Sequence, residues 1–206
     1  MPTGRPTPGT RAGGWCSPLP ICRFPFCPGG VLLPCGAAKA WSGRRLAYGA
    51  IIGETAESLL GDEEPQEEIF QLLVDAYRLL PKRNKRLVTD STLLKLLALC
   101  GLQPILDSCT SCNEPVTEDG FFSLVQGGFL CKNCALGEEL PMSLGTRDLM
   151  EQLLQLDLAQ PPNFTVRGRE LMEMEKILHA FIVYQTDRPL HSLDFLAQME
   201  NTAHGQ

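Results

Sequence analysis

Two cysteine pairs constrain this chain more than any other feature. Cys109 and Cys112 form one C-x2-C pair, Cys131 and Cys134 form a second, and eighteen residues separate the two. Two thiolates on one tight turn can reach a single ion at about 2.3 Å, and two such turns complete a tetrahedron. The spacing is typical of a structural zinc site. The sequence therefore predicts one Zn²⁺ ion held by these four cysteines.

The segment between the two pairs predicts a short β ribbon. Residues 120–125 form one apolar run and residues 129–130 a second, with Gly127 and Gly128 at the turn. A ribbon of this size buries little apolar surface, so we expect the metal to supply much of its folding energy. Four thiolates fill the coordination shell and leave no position for a catalytic water. The predicted role of the ion is structural.

Two other interpretations of the cysteine pairs stay open, an empty site and redox chemistry. Redox pairs of the thioredoxin type open a helix after a strand in a βαβ unit, and the sequence shows no such unit. Disulfides require an oxidising compartment, and no secretory signal is evident in the sequence. Structural zinc remains the favoured interpretation.

Charge is distributed unevenly along the chain. The 206 residues carry a net charge of -6, and residues 1–45 contain six basic and no acidic residues. Residues 46–206 carry twelve basic and 24 acidic residues. Non-specific DNA binding depends on positive charge, so a nucleic-acid role would require a local basic patch. No run of about 18 apolar residues is present, so no membrane span is predicted.

Residues 1–45 differ in kind from the rest of the chain. They contain eight prolines and eight glycines, which interrupt every apolar stretch and prevent a helix or central strand from propagating. The spacing of Cys16, Cys22, Cys27 and Cys35 matches no metal knuckle. We expect residues 1–45 to be irregular or disordered, or to come from a wrongly assigned start, and residues 46–206 to form the folded domain.

From Leu46 onward the sequence predicts helices. Apolar residues recur at helical spacing over residues 46–60, and a second helix has Pro65 in its first turn and ends at Pro81. Asp90 is the predicted N-cap of a leucine-rich third helix that closes at Gly101.

Two further helices follow the cysteine segment. Ser143 or Thr146 is the predicted cap of the first, which ends at the Pro161–Pro162 pair, and the second spans about residues 167–185. The predicted fold is mainly α: a helical bundle with a four-cysteine zinc ribbon at residues 109–137, inserted between its second and third major helices, and an irregular N-terminal segment.

Three phrases in this order resemble one known family. A leucine helix, a glycine and a proline over residues 94–104 lead into Asp107 just before the first cysteine pair. The passage 122–131 and the closing phrase 188–196, R-P-L-H-S-L-D-F-L, are also similar to that family. Over about residues 46–198 the chain resembles the C-terminal part of the bacterial recombination mediator RecO.

This resemblance implies a function in DNA repair and homologous recombination. Members act with single-strand-binding protein and RecR to promote recombinase loading and strand annealing, in the cytoplasm and at the nucleoid during repair. They begin with an OB-fold that handles single-stranded nucleic acid. The proline-rich stretch stands in the place of that barrel, so we expect this chain to lack the OB-fold, which weakens the expectation of single-stranded DNA binding.

Candidate functional residues outside the cysteines are few. No nucleophile–base constellation is recognisable, so we do not expect an enzyme. The best phosphate-contact candidates are the four basic residues Lys82, Arg83, Lys85 and Arg86; the alternative is a solvated loop that complements the preceding helix C-terminus. Two alternative functions remain: a zinc-stapled helical protein–protein adaptor, and a truncated product without independent DNA binding.

Overall fold

The computed structural model describes residues 21–22, 33–34, 43–60, 66–160 and 162–204. The chain divides into two units, Met1–Ala40 and Trp41–Gln206. In the first, β1 (Ile21–Cys22) pairs antiparallel with β2 (Leu33–Pro34). The helical part of the second begins at Gly43, three residues before the predicted boundary. The expectation of disorder or a wrong start for residues 1–45 falls mainly outside the described residues and stays a prediction.

The described part of the second unit contains six helices. They are α1 (Gly43–Leu60), α2 (Glu67–Leu79), α3 (Lys85–Leu99), α4 (Leu144–Gln155), α5 (Gly168–Thr186) and α6 (His191–His204). The prediction of a mainly α fold is confirmed. Helix α6 was not predicted as a helix, and Pro65 lies outside the described residues.

Helix α3 is the central helix of the bundle, packed against α1, α2, α4 and α5. Ten of its residues are buried, including the polar run from Thr89 to Thr92. The prediction that Asp90 caps this helix is wrong. Asn84 is the N-cap, and its side chain accepts the Arg86 N–H at 3.1 Å. Pro81 follows the end of α2, and Asn84 caps the next helix three residues later. That helix runs uninterrupted through Asp90, so Asp90 lies in its interior.

The two helices after the cysteine segment pack on each other through leucine-rich faces. The Ser143 cap is confirmed, since its hydroxyl accepts the Thr146 N–H at 3.3 Å. Helix α4 ends at Gln155, several residues before the proline pair that was predicted to stop it. Helix α5 lies within one residue of the predicted bounds at each end.

The cysteine segment forms a three-stranded antiparallel sheet in the order β4 (Gly128–Leu130), β3 (Gly120–Ser123), β5 (Leu140–Met142). The β3–β4 hairpin confirms the predicted ribbon, although β3 ends at Ser123, the turn covers residues 124–127 and Gly128 belongs to β4. Strand β5 was not predicted. The sheet lies between α3 and α4 in the chain, after the leucine-rich helix and before the helix that Ser143 caps, as predicted.

The sheet shares the core of the helical bundle. Phe122 and Phe129 are fully buried in the same cluster as residues of α1, α3, α4 and α5. The Phe122 ring meets Phe181 of α5 edge-on, with centroids 5.4 Å apart. The expectation that the ribbon buries little apolar surface is therefore wrong, because its inner face packs on the bundle.

Helix α6 is anchored to α1 by one carboxylate. Glu54 accepts the backbone N–H groups of His191 and Ser192, both at 2.8 Å, and the Ser192 hydroxyl also donates to it. Negative charge is favoured at a helix N-terminus, where backbone N–H groups lack partners. Burial opposes ionisation, but these hydrogen bonds lower the pKa of Glu54 overall. These hydrogen bonds therefore join α1 to the N-terminus of α6.

Candidate metal centre

Two tight turns present the four cysteines at one end of the sheet. In the first, Cys109 N–H donates to the Glu114 carbonyl at 2.8 Å, and Asn113 has a left-handed backbone with φ of 60°. In the second, the Cys134 and Ala135 N–H groups donate to the Cys131 carbonyl. Each C-x2-C pair therefore lies on a turn that points both sulfurs the same way.

The four sulfurs converge in the geometry that one ion requires. All four Sγ atoms lie within 4.8 Å of one another, and Cys112 Sγ lies 3.8 Å from Cys131 Sγ. A tetrahedron with metal–sulfur bonds of about 2.3 Å has edges of about 3.8 Å. A disulfide would need about 2.05 Å, and these four cysteines are free thiols. The arrangement can hold one metal ion.

The electrostatics of the cluster favour a cation. Burial opposes ionisation of the Cys109 thiol, but backbone N–H groups of Cys112, Cys131 and Ser111 lower its pKa to about 6. The adjacent Cys131 thiol raises the pKa of Cys134 to about 12. Four thiolates this close repel one another unless a positive charge lies among them. The donor set thus fits a thiophilic divalent ion.

Direct contacts fix the metal centre to the bundle. Arg147 of α4 donates from Nε to the Leu106 carbonyl at 2.9 Å, three residues before the first cysteine. Asp119, just before β3, accepts the Leu144 N–H at 2.8 Å and so supports the start of α4. These contacts join the segments on both sides of the first cysteine pair to α4.

The predicted phosphate-contact loop is largely used for internal contacts. Arg83 donates to the Ala159 carbonyl at 2.6 Å, and the Lys85 ammonium lies 5.7 Å from the Tyr48 ring centroid. Arg86 makes a bidentate ion pair with Glu175 of α5, with Nε to Oε1 at 2.7 Å. Of the four basic residues, only Lys82 is exposed. Lys85 and Arg86 are the first two residues of α3, and Arg86 joins this helix to α5. Arg83, in the loop before α3, joins it to the segment after α4.

Sequence reasoning missed a buried carboxyl beside that ion pair. Asp90 is 1% exposed, and its Oδ2 atom has no hydrogen-bond partner among the described residues. Burial raises its pKa well above the usual value, and the charge of Glu175 adds to the rise while Arg86 opposes it. Since Asp90 lies in the middle of a helix, only the tertiary packing of α3 could have revealed its burial.

Replacing Asp90 with asparagine should stabilise the protein increasingly as pH rises. With a raised pKa, the native state keeps a proton that the unfolded state loses above pH about 4, so wild-type stability falls with pH. The stability difference between Asp90→Asn and wild type should grow by up to about 1.4 kcal/mol per pH unit until the native carboxyl itself ionises. Urea unfolding from pH 4 to 8 measures this difference, and parallel profiles would contradict the assignment.

The histidines form no catalytic constellation among the described residues. His179 lies on α5, where burial lowers its pKa and the charge of Glu175 opposes that shift. Ser192 donates its hydroxyl to Glu54 and not to a histidine.

Among the described helices, none combines the length and hydropathy that crossing a membrane requires.

Comparison with known proteins identifies the family. The family model described as "Recombination protein O C terminal" matches residues 42–194. A protein named "DNA repair protein RecO" from Desulforamulus reducens is 30% identical over 158 residues, covering 75% of this chain and 62% of the relative. Proteins of the same name from Pelotomaculum thermopropionicum and Symbiobacterium thermophilum are 31% and 33% identical. These two matches each cover 74% of this chain, and they cover 60% and 63% of the respective relatives.

This chain thus spans about three fifths of the length of the curated relatives it matches. The matched residues include helices α1 to α5, the first four residues of α6, the three-stranded sheet and the four converging cysteines. On these grounds the chain belongs to the RecO family, and it corresponds to the family's C-terminal part.

Proposed function

We propose that this protein acts in DNA repair and homologous recombination as a mediator. In this role it works with single-strand-binding protein and RecR to promote recombinase loading and the annealing of complementary strands. It positions macromolecules without making or breaking bonds, in the cytoplasm and at the nucleoid. The observation that carries the proposal is the family match over residues 42–194, supported by relatives named as DNA repair proteins.

The metal of the cysteine centre is proposed to be Zn²⁺, bound by Cys109, Cys112, Cys131 and Cys134. Four thiolates at tetrahedral spacing are the donor set of structural zinc sites. When bound, the ion holds the two turns together. The role of these residues is to keep the β3–β4 end of the sheet in a fixed shape, and a complete sulfur shell leaves no position for a reacting water.

Strand annealing is the direct test of the mediator proposal. Complementary strands coated with single-strand-binding protein anneal slowly, and we expect the purified chain to accelerate their pairing, more so when RecR is present. A full-length RecO from a relative serves as the positive control. If the chain gives no acceleration and also fails to restore ultraviolet survival to a bacterium lacking RecO, the mediator proposal is wrong for this chain.

A second candidate function, a zinc-stapled helical adaptor that binds a partner peptide, is favoured by one groove. A cavity of about 810 Å³ lies between α3, α4 and the 103–107 segment, with Leu99, Ile105 and Leu154 among its lining residues. Leu99 and Ile105 are 39% and 46% exposed. Lys95 in the same groove donates to the Leu154 carbonyl at 2.8 Å.

The proposed occupant of this groove is the acidic tail of single-strand-binding protein, as the family resemblance implies. A tail peptide titrated against the protein and against Leu99→Asp distinguishes the adaptor function from a mediator that acts only on DNA. Weaker binding to the variant supports the adaptor. Equal binding removes the groove as the site.

A further inference from the structure

One of the four cysteines in the metal centre lies open to solvent. Cys109 is buried, Cys131 and Cys134 are half-buried, and Cys112 is exposed. Oxidation of a cysteine depends on its thiolate character and on its exposure, and metal-ligating cysteines are thiolates. Of the four residues, Cys112 is therefore the most accessible to a small oxidant in water.

A second sulfur lies within reach of Cys112 on the other turn. Cys112 Sγ is 3.8 Å from Cys131 Sγ, so the two atoms need to approach by about 1.8 Å to form a disulfide. The other cysteine of the first turn, Cys109, is buried and accepts the Cys131 N–H at 3.4 Å. Oxidation-sensitive cysteines often lie beside a resolving cysteine. The geometry favours Cys131 for that role.

The protein scaffold keeps the two turns attached to one body when no ion links them. Phe122 and Phe129 pack the sheet into the bundle core, and hydrogen bonds at Leu106 and Asp119 join the flanks of the first turn to α4. A small zinc module that depends on its ion alone unfolds when the ion leaves. Here the anchored sheet keeps the sulfurs of both turns on the same scaffold.

We propose that the metal centre is redox-sensitive: hydrogen peroxide oxidises Cys112, Cys131 resolves it, and the resulting disulfide replaces the ion as the link between the two turns. The proposal rests on the proposed occupancy of the centre by Zn²⁺. It adds a second, metal-free state to a centre whose proposed role is structural.

The chemistry takes two steps. The Cys112 thiolate attacks one oxygen of hydrogen peroxide and breaks the O–O bond, which gives a sulfenic acid on Cys112 and a hydroxide ion. The Cys131 thiolate then attacks the sulfenic sulfur, forms the S–S bond and displaces a second hydroxide. Two solvent protons convert both hydroxides to water, so the two sulfurs lose two electrons and the peroxide gains them. Only Cys109 and Cys134 remain as thiolates, too few for a tetrahedral sulfur shell.

Peroxide treatment of the zinc-loaded chain tests the proposal. About one equivalent of zinc per chain should be released, as measured with a metal-binding dye, and dithiothreitol with added zinc should restore it. A digest with trypsin and glutamyl endopeptidase separates the sulfurs, since cleavage at Glu114 parts the first pair from Cys131 and cleavage at Lys132 parts Cys131 from Cys134. The expected product is a cross-link between the peptide that holds Cys112 and the one that holds Cys131.

Two matched variants identify the partners, since each keeps one cysteine on each turn. Cys109→Ser/Cys134→Ser retains Cys112 and Cys131, and it should form the cross-link as wild type does. Cys109→Ser/Cys131→Ser lacks the resolving thiol, so Cys112 should accumulate as a sulfenic acid that dimedone labels. Cys100→Ser removes a thiol outside the cluster and should release zinc as wild type does.

Three results would overturn the proposal. They are zinc that stays bound in excess peroxide, disulfides formed within the C-x2-C pairs, and equal cross-linking in the two double variants. A reduced chain that contains no zinc before treatment overturns both this proposal and the zinc assignment, whereas the other outcomes leave that assignment intact. Strand annealing by the reduced chain decides the mediator function separately.

Discussion

Replacing Phe122 with alanine will lower the free energy of unfolding by about 3–5 kcal/mol, the range for truncating a large aromatic side chain in a packed core. Phe122 is fully buried and contacts Phe181 of α5 edge-on. Its removal opens a cavity where the sheet meets the bundle, so the loss includes both burial and packing. Denaturant unfolding followed by circular dichroism measures the change.

Phe121 provides the matched control. It precedes Phe122 on β3, points to the opposite side of the sheet and is only partly buried. Phe121→Ala should therefore cost clearly less than Phe122→Ala. If the two variants lose the same stability, the sheet does not share the bundle core, and the metal centre would be an independent module.

The local features of the fold were predictable because they depend on short stretches of sequence. The cysteine spacing and the Gly127–Gly128 pair predict a hairpin, and the observed hairpin turns over residues 124–127, with Ser123 opposite Gly128. The Ser143 cap and the bounds of α5 follow from apolar periodicity and capping chemistry. Each of these signals needs only the residues that form the element.

The features that sequence reasoning missed depend on residues far apart in the chain. Glu54 caps a helix that begins 137 residues later, and Arg86 pairs with Glu175 across 89 residues. In the sequence alone, nothing distinguishes Arg86 from the other cations of the basic run at residues 82–86. Its ion pair is visible only once α3 and α5 are packed side by side.

Asp90 shows how a strong local rule can fail. An acidic residue before a leucine run is a good N-cap signal, but Asn84 stands closer to the proline that ends α2. Helix α3 therefore begins earlier and carries Asp90 into the core, where its Oδ2 atom has no partner among the described residues. Tertiary packing decides which of two candidate residues caps the helix, and this packing cannot be derived from the local sequence.

Replacing Cys109 and Cys131 with serine will abolish metal binding, reducing bound zinc from about one equivalent per chain to near zero. Each substitution removes one thiolate from one C-x2-C pair, and two remaining sulfurs do not make a tetrahedral shell. Metal analysis of the purified protein measures the stoichiometry. Cys100→Ser is the matched control, since Cys100 lies at the end of α3 and outside the sulfur cluster.

The consequence for the fold should be local. Because Phe122 and Phe129 belong to the bundle core, we expect the bundle to persist without the ion. The two cysteine turns lose the ion that links their sulfurs and keep only the contacts at their flanks. Hydrogen exchange in the Cys109→Ser/Cys131→Ser variant should therefore speed up around residues 109–115 and 131–137 while α3 stays protected. Retention of one zinc per chain would show that the ion binds elsewhere. Loss of protection in α3 would show that the metal organises the whole unit.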